Sequence, residues 1–515
     1  MSEGQSADLS RRRLFTAGGA LATAGAFEVF LPKVAFAAPE SDATADPNGD
    51  SGSTQTRTIT GTIPADAADW YYLPIEIPAG ANTIAVDYSY DKPTPPAGFN
   101  GNACDIGMFG PEGYQLGNGR GFRGWSGGAR TSFEISASEA TPGYLAGPVS
   151  PGTWHVILGP YTVVPAGLHY TVNVTLTFGP AGTAFVPNPA PTTAPARARG
   201  RSWYRGDGHL HTVYSDGRRT QAELVADART AGLDFVVSTE HNTPSGSLNW
   251  GTVATDDLLI VNGEEVTTRT GHWPASNLPV GHWIDWRYRA DDPADFARFV
   301  DEVHAVGGLV TAAHPFGTCL GCSWEFNYEQ ADLIEVWNGP WTLDDESTVT
   351  AWDSMLRTGR WIPAVGDSDA HNPDQVVGLP HNVVLADDLR AGALMDGLRA
   401  GHNWLAESSA VDLTMNATDG VRTAGIGERL RTGAGTPVTV TVILGGVPGT
   451  QVRFIDQIGP QYTATVPASG AATVTWTALP RYTEWVRVEV RRAVPTATTV
   501  DTMVALTNPV FLDRR

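Results

Sequence analysis

The stretch "GDGHLHTVYSDG", residues 206–217, sets His209 and His211 one residue apart and places Asp216 shortly after them. In an extended chain residues i and i+2 point the same way, so the two imidazoles form one chelating arm. Similar residue types recur in four more short stretches: His241 in "VVSTEHN", Glu265 in "VNGEEVTT", His314 in "TAAHPF", and Asp369 with His371 in "VGDSDAH". Asp369 and His371 repeat the i, i+2 spacing and make a second arm. Imidazole nitrogens mixed with carboxylates suit zinc, manganese or iron better than magnesium or calcium. Five histidines and the carboxylates Asp216, Glu265 and Asp369 exceed what one tetrahedral zinc takes. Two or three divalent transition-metal ions are therefore expected, with Glu265 as a bridge. Each residue alone has a blander meaning. His314 before Pro315 reads as structural, Asp216 in Ser-Asp-Gly as a turn residue, and Glu264 as a solvated neighbour of Glu265. The joint occurrence carries the metal reading.

Each of these residues follows a short apolar run that reads as a strand, and each is followed by a loop. "WYRGDGHLHT", "DFVVSTEHN", "LLIVNGEEVTT", "LVTAAHPF", "LIEVWNG" and "WIPAVGDSDAH" are the strands. "RTQAELVADARTAGL", "DPADFARFVDEVHAVGG" and a segment near 344–358 read as helices between them. This alternation predicts an α/β unit of six or seven βα repeats over 203–408, closed as a barrel. The C-terminal ends of parallel strands converge on one face, where barrels build their sites. Ten of the twelve histidines lie between residues 209 and 402.

The flanks read differently. Residues 59–180 show period-two alternation, as in "NTIAVDYSYD" and "LHYTVNVTLTF", with Gly/Pro punctuation, and predict an all-β, jelly-roll-like sandwich. Residues 181–202 are a Pro/Ala linker, and 409–515 return to alternation as a small C-terminal β domain. The N-terminus carries Arg11 and Arg12 before an Ala/Gly-rich apolar run and the small-residue pattern Ala35-Phe36-Ala37. That is the pattern of a twin-arginine signal peptide over 1–37, with a flexible segment over 38–58. It predicts a secreted, extracytoplasmic protein that meets the twin-arginine translocase and has no stable membrane span. The net charge of −21, spread along the chain, speaks against a nucleic-acid partner. Of three cysteines, Cys319 and Cys322 form a lone CxxC that reads as a local disulfide, a thiol pair or metal ligands.

Taken together, the five histidine and carboxylate stretches resemble the successive motifs of the PHP (polymerase and histidinol phosphatase) domain. The β–barrel–β layout and the closing "ALTNPVF" resemble its CehA/McbA-type metallohydrolase branch. The resemblance covers about 203–512 and implies a distorted (β/α)7 barrel with a di- or trinuclear site. It implies that His209, His211, Glu265 and Asp369 hold one ion, and that Glu265, His314 and His272 hold a second. Asp216, His241 and His371 would hold a third. His282 competes with His272 for its place, Glu240 departs from the family's usual Asp, and Glu335 and Asn338 read as support.

Clustered ions lower the pKa of water, clamp the scissile group and stabilise its developing charge. The expected activity is hydrolysis of a small-molecule phosphoester. Carbamate or carboxyl-ester hydrolysis on the same site is an alternative, and a non-catalytic glycan-binding or adhesion protein with a relic barrel is another. His241, His371 and Asp369 are the expected catalytic residues, with His241 or His371 as leaving-group acid under partial metal occupancy. Arg218 and Arg219 read either as anion contacts or as surface charges at a helix start. An amidohydrolase-type site bridged by a carboxylated lysine is excluded, because no lysine follows Lys92.

Overall fold

Alternation of apolar and polar residues shapes the first half of the chain. In the strand Leu168–Phe178, Leu168, Tyr170, Val172, Val174 and Leu176 are buried and the residues between them are more exposed. The computed structural model describes residues 52–95, 98, 100–192, 195–493 and 501–514; the expected signal peptide and most of the segment after it lie outside them. Eight strands between Thr54 and Phe178 form two antiparallel four-stranded sheets. One holds Thr54–Ile63, Leu168–Phe178, Ala81–Tyr90 and Ser132–Ser136. The other holds Tyr71–Ile77, Gly152–Thr162, Ala103–Phe109 and Phe122–Gly127. Ile84, Val86, Ile106, Trp154, Val172 and Val174 fill the space between them. The second sheet turns a further apolar face outward: Phe109, Phe122, Trp125 and Ile157 pack on Trp273, Trp283, Trp286 and Phe296. This second core docks the sandwich onto the central sheet, so both contribute to the groove above the site.

Seven strands form the core of the central part, in the spatial order Ser202–Asp207, Phe235–Ser238, Leu259–Thr268, Gly271–Ser276, Leu309–Ala312, Leu333–Asn338 and Ala364–Asp367. The first three are mutually parallel, as are the last three, while Gly271–Ser276 is antiparallel to both neighbours. A parallel bridge between Leu210 and Ala370 joins the segments beyond the first and last strands. That bridge brings the His209/His211 arm beside the Asp369/His371 arm.

The distorted (β/α)7 barrel that the resemblance implies is not shown. Among the described residues there are 27 strands and four α-helices, and most strand pairs are antiparallel. The helices expected from sequence are Gln221–Thr230, Pro293–Ala305 and Leu343–Arg357; Ala391–Arg399 is a fourth that the reading above did not name. Phe235–Ser238 is followed only by 3-10 turns around Pro244 and its small polar neighbours. Leu259–Thr268 runs instead into a hairpin, and 313–332 is a helix-free loop. The helices that do form have clear local causes. Thr220 and Glu223 make a reciprocal capping box at the first. Asp292 caps the second, with Pro293 in its first turn and Phe296, Phe299, Val300 and Val303 on its buried face.

Beyond His381 the sheet continues without a break through His381–Ala386, Asn403–Ala406, Thr502–Thr507, Trp485–Arg492, Gln451–Asp456 and Gly459–Thr465. A separate four-stranded sheet, Thr423–Gly425, Asp412–Thr418, Val438–Gly445 and Ala472–Ala478, packs against this extension through Leu413, Val440, Val442, Val452, Phe454 and Val488. No helix among the described residues is long and apolar enough to cross a membrane.

Candidate metal centre

The nine residues singled out as ligands converge at one end of the seven-stranded sheet. Four atoms form the most buried group: His209 Nε2, His211 Nε2, Glu265 Oε2 and Asp369 Oδ1. His209 Nε2 lies 3.2 Å from Glu265 Oε2 and 3.4 Å from Asp369 Oδ1, and His211 Nε2 lies 3.3 and 3.0 Å from the same two oxygens. All four atoms are shielded from solvent and none makes a hydrogen bond. Buried polar atoms this close and without hydrogen bonds call for a missing partner, and one shared cation would supply it. Ligands bonded tetrahedrally at about 2.0–2.1 Å stand about 3.3 Å apart, so these separations fit a zinc-sized ion.

The other oxygen of Glu265 serves a second group. Glu265 Oε1 is 3.2 Å from His272 Nδ1 and 3.4 Å from His314 Nε2. In a third group, Asp216 Oδ1 lies 3.4 Å from His241 Nε2 and 3.3 Å from His371 Nε2, and those two nitrogens are 3.3 Å apart. The first two groups thus share one buried carboxylate, the bridging position expected of Glu265, and its Oε2 also lies 2.9 Å from His241 Nδ1 of the third group. His282 is elsewhere, 3.0 Å from Glu302, so His272 takes the contested place. Cys322 also reaches the His272/His314 group. It is disulfide-bonded to Cys319, one of the three readings its spacing left open.

Supporting residues hold the rings in place. Glu335 Oε1 is 3.1 Å from His209 Nδ1, while its Oε2 accepts from the His314 backbone N–H at 2.8 Å and Asn338 Nδ2 at 3.0 Å. A carboxylate behind a ligating imidazole fixes its tautomer and makes the free nitrogen a better donor to an ion. Asn338 Nδ2 also donates to Asp369 Oδ2 at 3.3 Å. Thr267 Oγ1 sits 2.5 Å from His241 Nδ1, and His371 Nδ1 is 2.9 Å from the Asp369 carbonyl oxygen. His314 and Asp369 both have left-handed backbones, with φ of 26° and 47°. Strain of this kind persists where surrounding structure enforces it, often at functional sites.

Electrostatics follow from crowding nitrogens and carboxylates in a buried place. Burial opposes charge on His209, but Asp369, Glu265 and Glu335 together outweigh it and raise its pKa well above the usual value. Burial dominates at His211, helped by repulsion from His371 and His241, and lowers its pKa to about 3. Burial also opposes charge on Glu265 and Asp369, yet the surrounding imidazoles hold both well below the carboxylate range. The carboxylates therefore stay ionised and ready to accept cations.

Glu264 and Arg219 differ from their sequence reading, and Glu240 gains a definite set of partners. Glu264 is not solvated: strand alternation turns it to the far face, where it is fully buried, accepts from the Ile284 N–H at 3.2 Å, and has its pKa raised well up by burial. Glu240 accepts from Thr212 and Ser215, bracing the loop that carries Asp216. Arg219 is neither a surface charge nor an anion contact. It is buried, pairs with Asp227 at 2.8 Å, and donates to the Asn372 and Gln375 carbonyls behind His371. Arg218 is exposed. No sequence pattern marks Asp105 and Arg269, which line the groove beside Asp216 and His241. Asp105 comes from the sandwich, 100 or more residues before any ligand.

No family model matches the chain, and no curated protein does. Among solved structures it is similar to a two-domain protein from Bacteroides vulgatus containing a predicted PHP-like metal-dependent phosphoesterase, at 16% identity and a TM-score of 0.34, over 64% of this chain and all of that one. It is also similar to an amidohydrolase from Chromobacterium violaceum, at 17% identity and a TM-score of 0.25, over 34% of this chain and 89% of that one. A candidate metal-dependent phosphoesterase from Bifidobacterium adolescentis matches at 20% identity and a TM-score of 0.24, over 34% of this chain and 90% of that one. At these scores the likenesses carry no argument about what this chain does.

Proposed function

We propose that the chain is an exported metal-dependent hydrolase of the PHP type that cleaves phosphoesters, holding two or three divalent transition-metal ions. The observation that carries this is the set of four buried, unbonded atoms on His209, His211, Glu265 and Asp369, each 3.0–3.4 Å from two of the others. The export clause rests on Arg11, Arg12 and the Ala35–Ala37 pattern.

When bound, the ions would activate a water molecule and draw electron density from the scissile group. The protein's own residues do the rest. Glu265 offers one oxygen to each of two groups and so fixes their spacing. Glu335 and Asn338 keep His209 and Asp369 from turning away. Asp216, Glu265 and Asp369 would repel an anionic ester on their own; the cations they hold reverse the local charge, which favours a phosphoester over a neutral carbamate. The third group is the most open, with Asp216 44% exposed at its side chain, and marks the side from which substrate enters.

The test is turnover of phosphomonoester, phosphodiester, carbamate and carboxyl-ester substrates by protein of measured metal content. The proposal expects phosphoester hydrolysis that a chelator abolishes and added metal restores. Preference for a carbamate or carboxyl ester would move the assignment to that chemistry. No turnover by metal-loaded protein would favour a binding role.

A further inference from the structure

A cleft of about 440 Å3 runs from Asp216, His241 and His272 into the seam between sandwich and central sheet. Its walls include Trp70, Trp125, Trp286 and Tyr161, and its polar groups include Asp105 and Arg269. Trp125 and Trp286 are buried and tilted against each other at 4.6 Å between ring centroids; Trp70 stands edge-on to both at 5.8 Å and is only half-buried. Trp70 lines the cleft beside Arg269.

The two charged groups are under-used. The Arg269 side chain is 6% exposed, its guanidinium lies over the Trp70 and Tyr161 rings at 4.9 and 4.3 Å, its Nη2 donates to the Asp69 carbonyl oxygen at 3.4 Å, and its buried Nε has no hydrogen-bond partner. Its nearest carboxylate oxygen, on Asp69, is 3.9 Å away, and that carboxylate is already held by Arg289 at 2.6 and 2.7 Å. Asp105, on the strand Ala103–Phe109, faces the same cleft, and no hydrogen bond to its carboxylate is formed among the described residues. Burial pushes its pKa up to about 6. Gly128 leaves its side open: a Cβ there would come within 3.3 Å of Asp105 Oδ1.

One donor group with unused N–H capacity, one free acceptor group and a tryptophan select a particular ligand. A second anion would meet Asp105, and a cation would meet Arg269, so neither charge is favoured. A neutral ring bearing hydroxyls satisfies both, giving O–H to Asp105 and accepting N–H from Arg269. Its C–H face lies against Trp70. A cavity of this size holds such a ring. We propose that this cleft binds the sugar ring of the substrate, so that the ester cleaved is a sugar ester. The inference rests on the hydrolase reading for the word substrate, but the sugar site itself does not.

The test therefore uses binding first. Methyl glucoside, methyl galactoside and methyl mannoside, none of which carries a scissile ester, are titrated against the full-length protein while tryptophan fluorescence is followed. The expected result is a saturable change with at least one of them, weakened about tenfold or more in Asp105→Ala and in Trp70→Ala. Both variants are at partly exposed positions, and thermal melting checks that they fold. No saturable change with any glycoside, or one that Asp105→Ala leaves intact, overturns the proposal. The second measurement is the ratio of kcat/KM for glucose 6-phosphate to that for ethyl phosphate, which Asp105→Ala should lower about tenfold. Sugar binding without hydrolysis of either ester would sustain the sugar site and sink the hydrolase reading. Hydrolysis of both without sugar binding would do the reverse.

Discussion

His241 and His371 meet Nε2 to Nε2 at 3.3 Å, with Asp216 Oδ1 within 3.4 Å of both. Two imidazole nitrogens this close share one proton or one cation; two protons would repel. Burial disfavours charge on His371, but the Asp216 hydrogen bond and the Asp369 charge outweigh it and raise its pKa to about 10. A metal ion requires that ring to be neutral. Below about pH 10, binding must therefore displace a proton, and affinity rises with pH. Calorimetry in two buffers of different ionisation enthalpy should show net proton release on zinc uptake at neutral pH. Uptake with no proton release would contradict this account of the third group.

Glu335 touches no proposed ion, yet it sits 3.1 Å behind His209 Nδ1 and also holds the His314 backbone. Glu335→Gln should lower metal affinity about 10–100-fold. Chelator competition reads that change. An affinity equal to that of the unaltered protein would remove Glu335 from the support of the site.

Cys104 is fully buried between the sandwich sheets, and burial pushes its thiol pKa up to about 12. With Cys319 and Cys322 paired, the native protein should show no rapidly reacting thiol. Denatured without reductant, it should show one per chain. Three reactive thiols under those conditions would mean that the pair is reduced.

The sandwich core depends on Trp154, which is fully buried and donates through Nε1 to the Ser150 carbonyl at 2.9 Å. Trp154→Ala should cost about 3–5 kcal/mol. A denaturant titration should show the loss as an earlier unfolding midpoint. An unchanged midpoint would place the ring outside the core.

The chain's candidate ligands were legible because strand geometry and chemistry agree: an i, i+2 pair at a strand end must point one way, and apolar runs mark the strands. The sandwich strands were legible for the same reason, since one face of each is buried. The departure from a (β/α)7 barrel was not, because periodicity cannot tell a βα connection from a hairpin when the connecting residues are few. Arg269 and Thr270 turn the chain back after Thr268, and nothing in their types separates that turn from a loop. Glu264 departs from the solvated neighbour its place beside Glu265 suggests, because strand alternation puts it on the opposite face and that face is also buried. Asp105 and Arg269 could not be found at all, since their surroundings come from contacts distant in sequence.

The central claim is that this cluster holds metal. Elemental analysis of the purified, full-length protein tests it most directly, alongside the Glu265→Gln variant. The account predicts about two or more transition-metal ions per chain, and a loss in Glu265→Gln because that carboxylate borders two groups. Protein that binds no transition metal, even after incubation with zinc, manganese or iron, would contradict it.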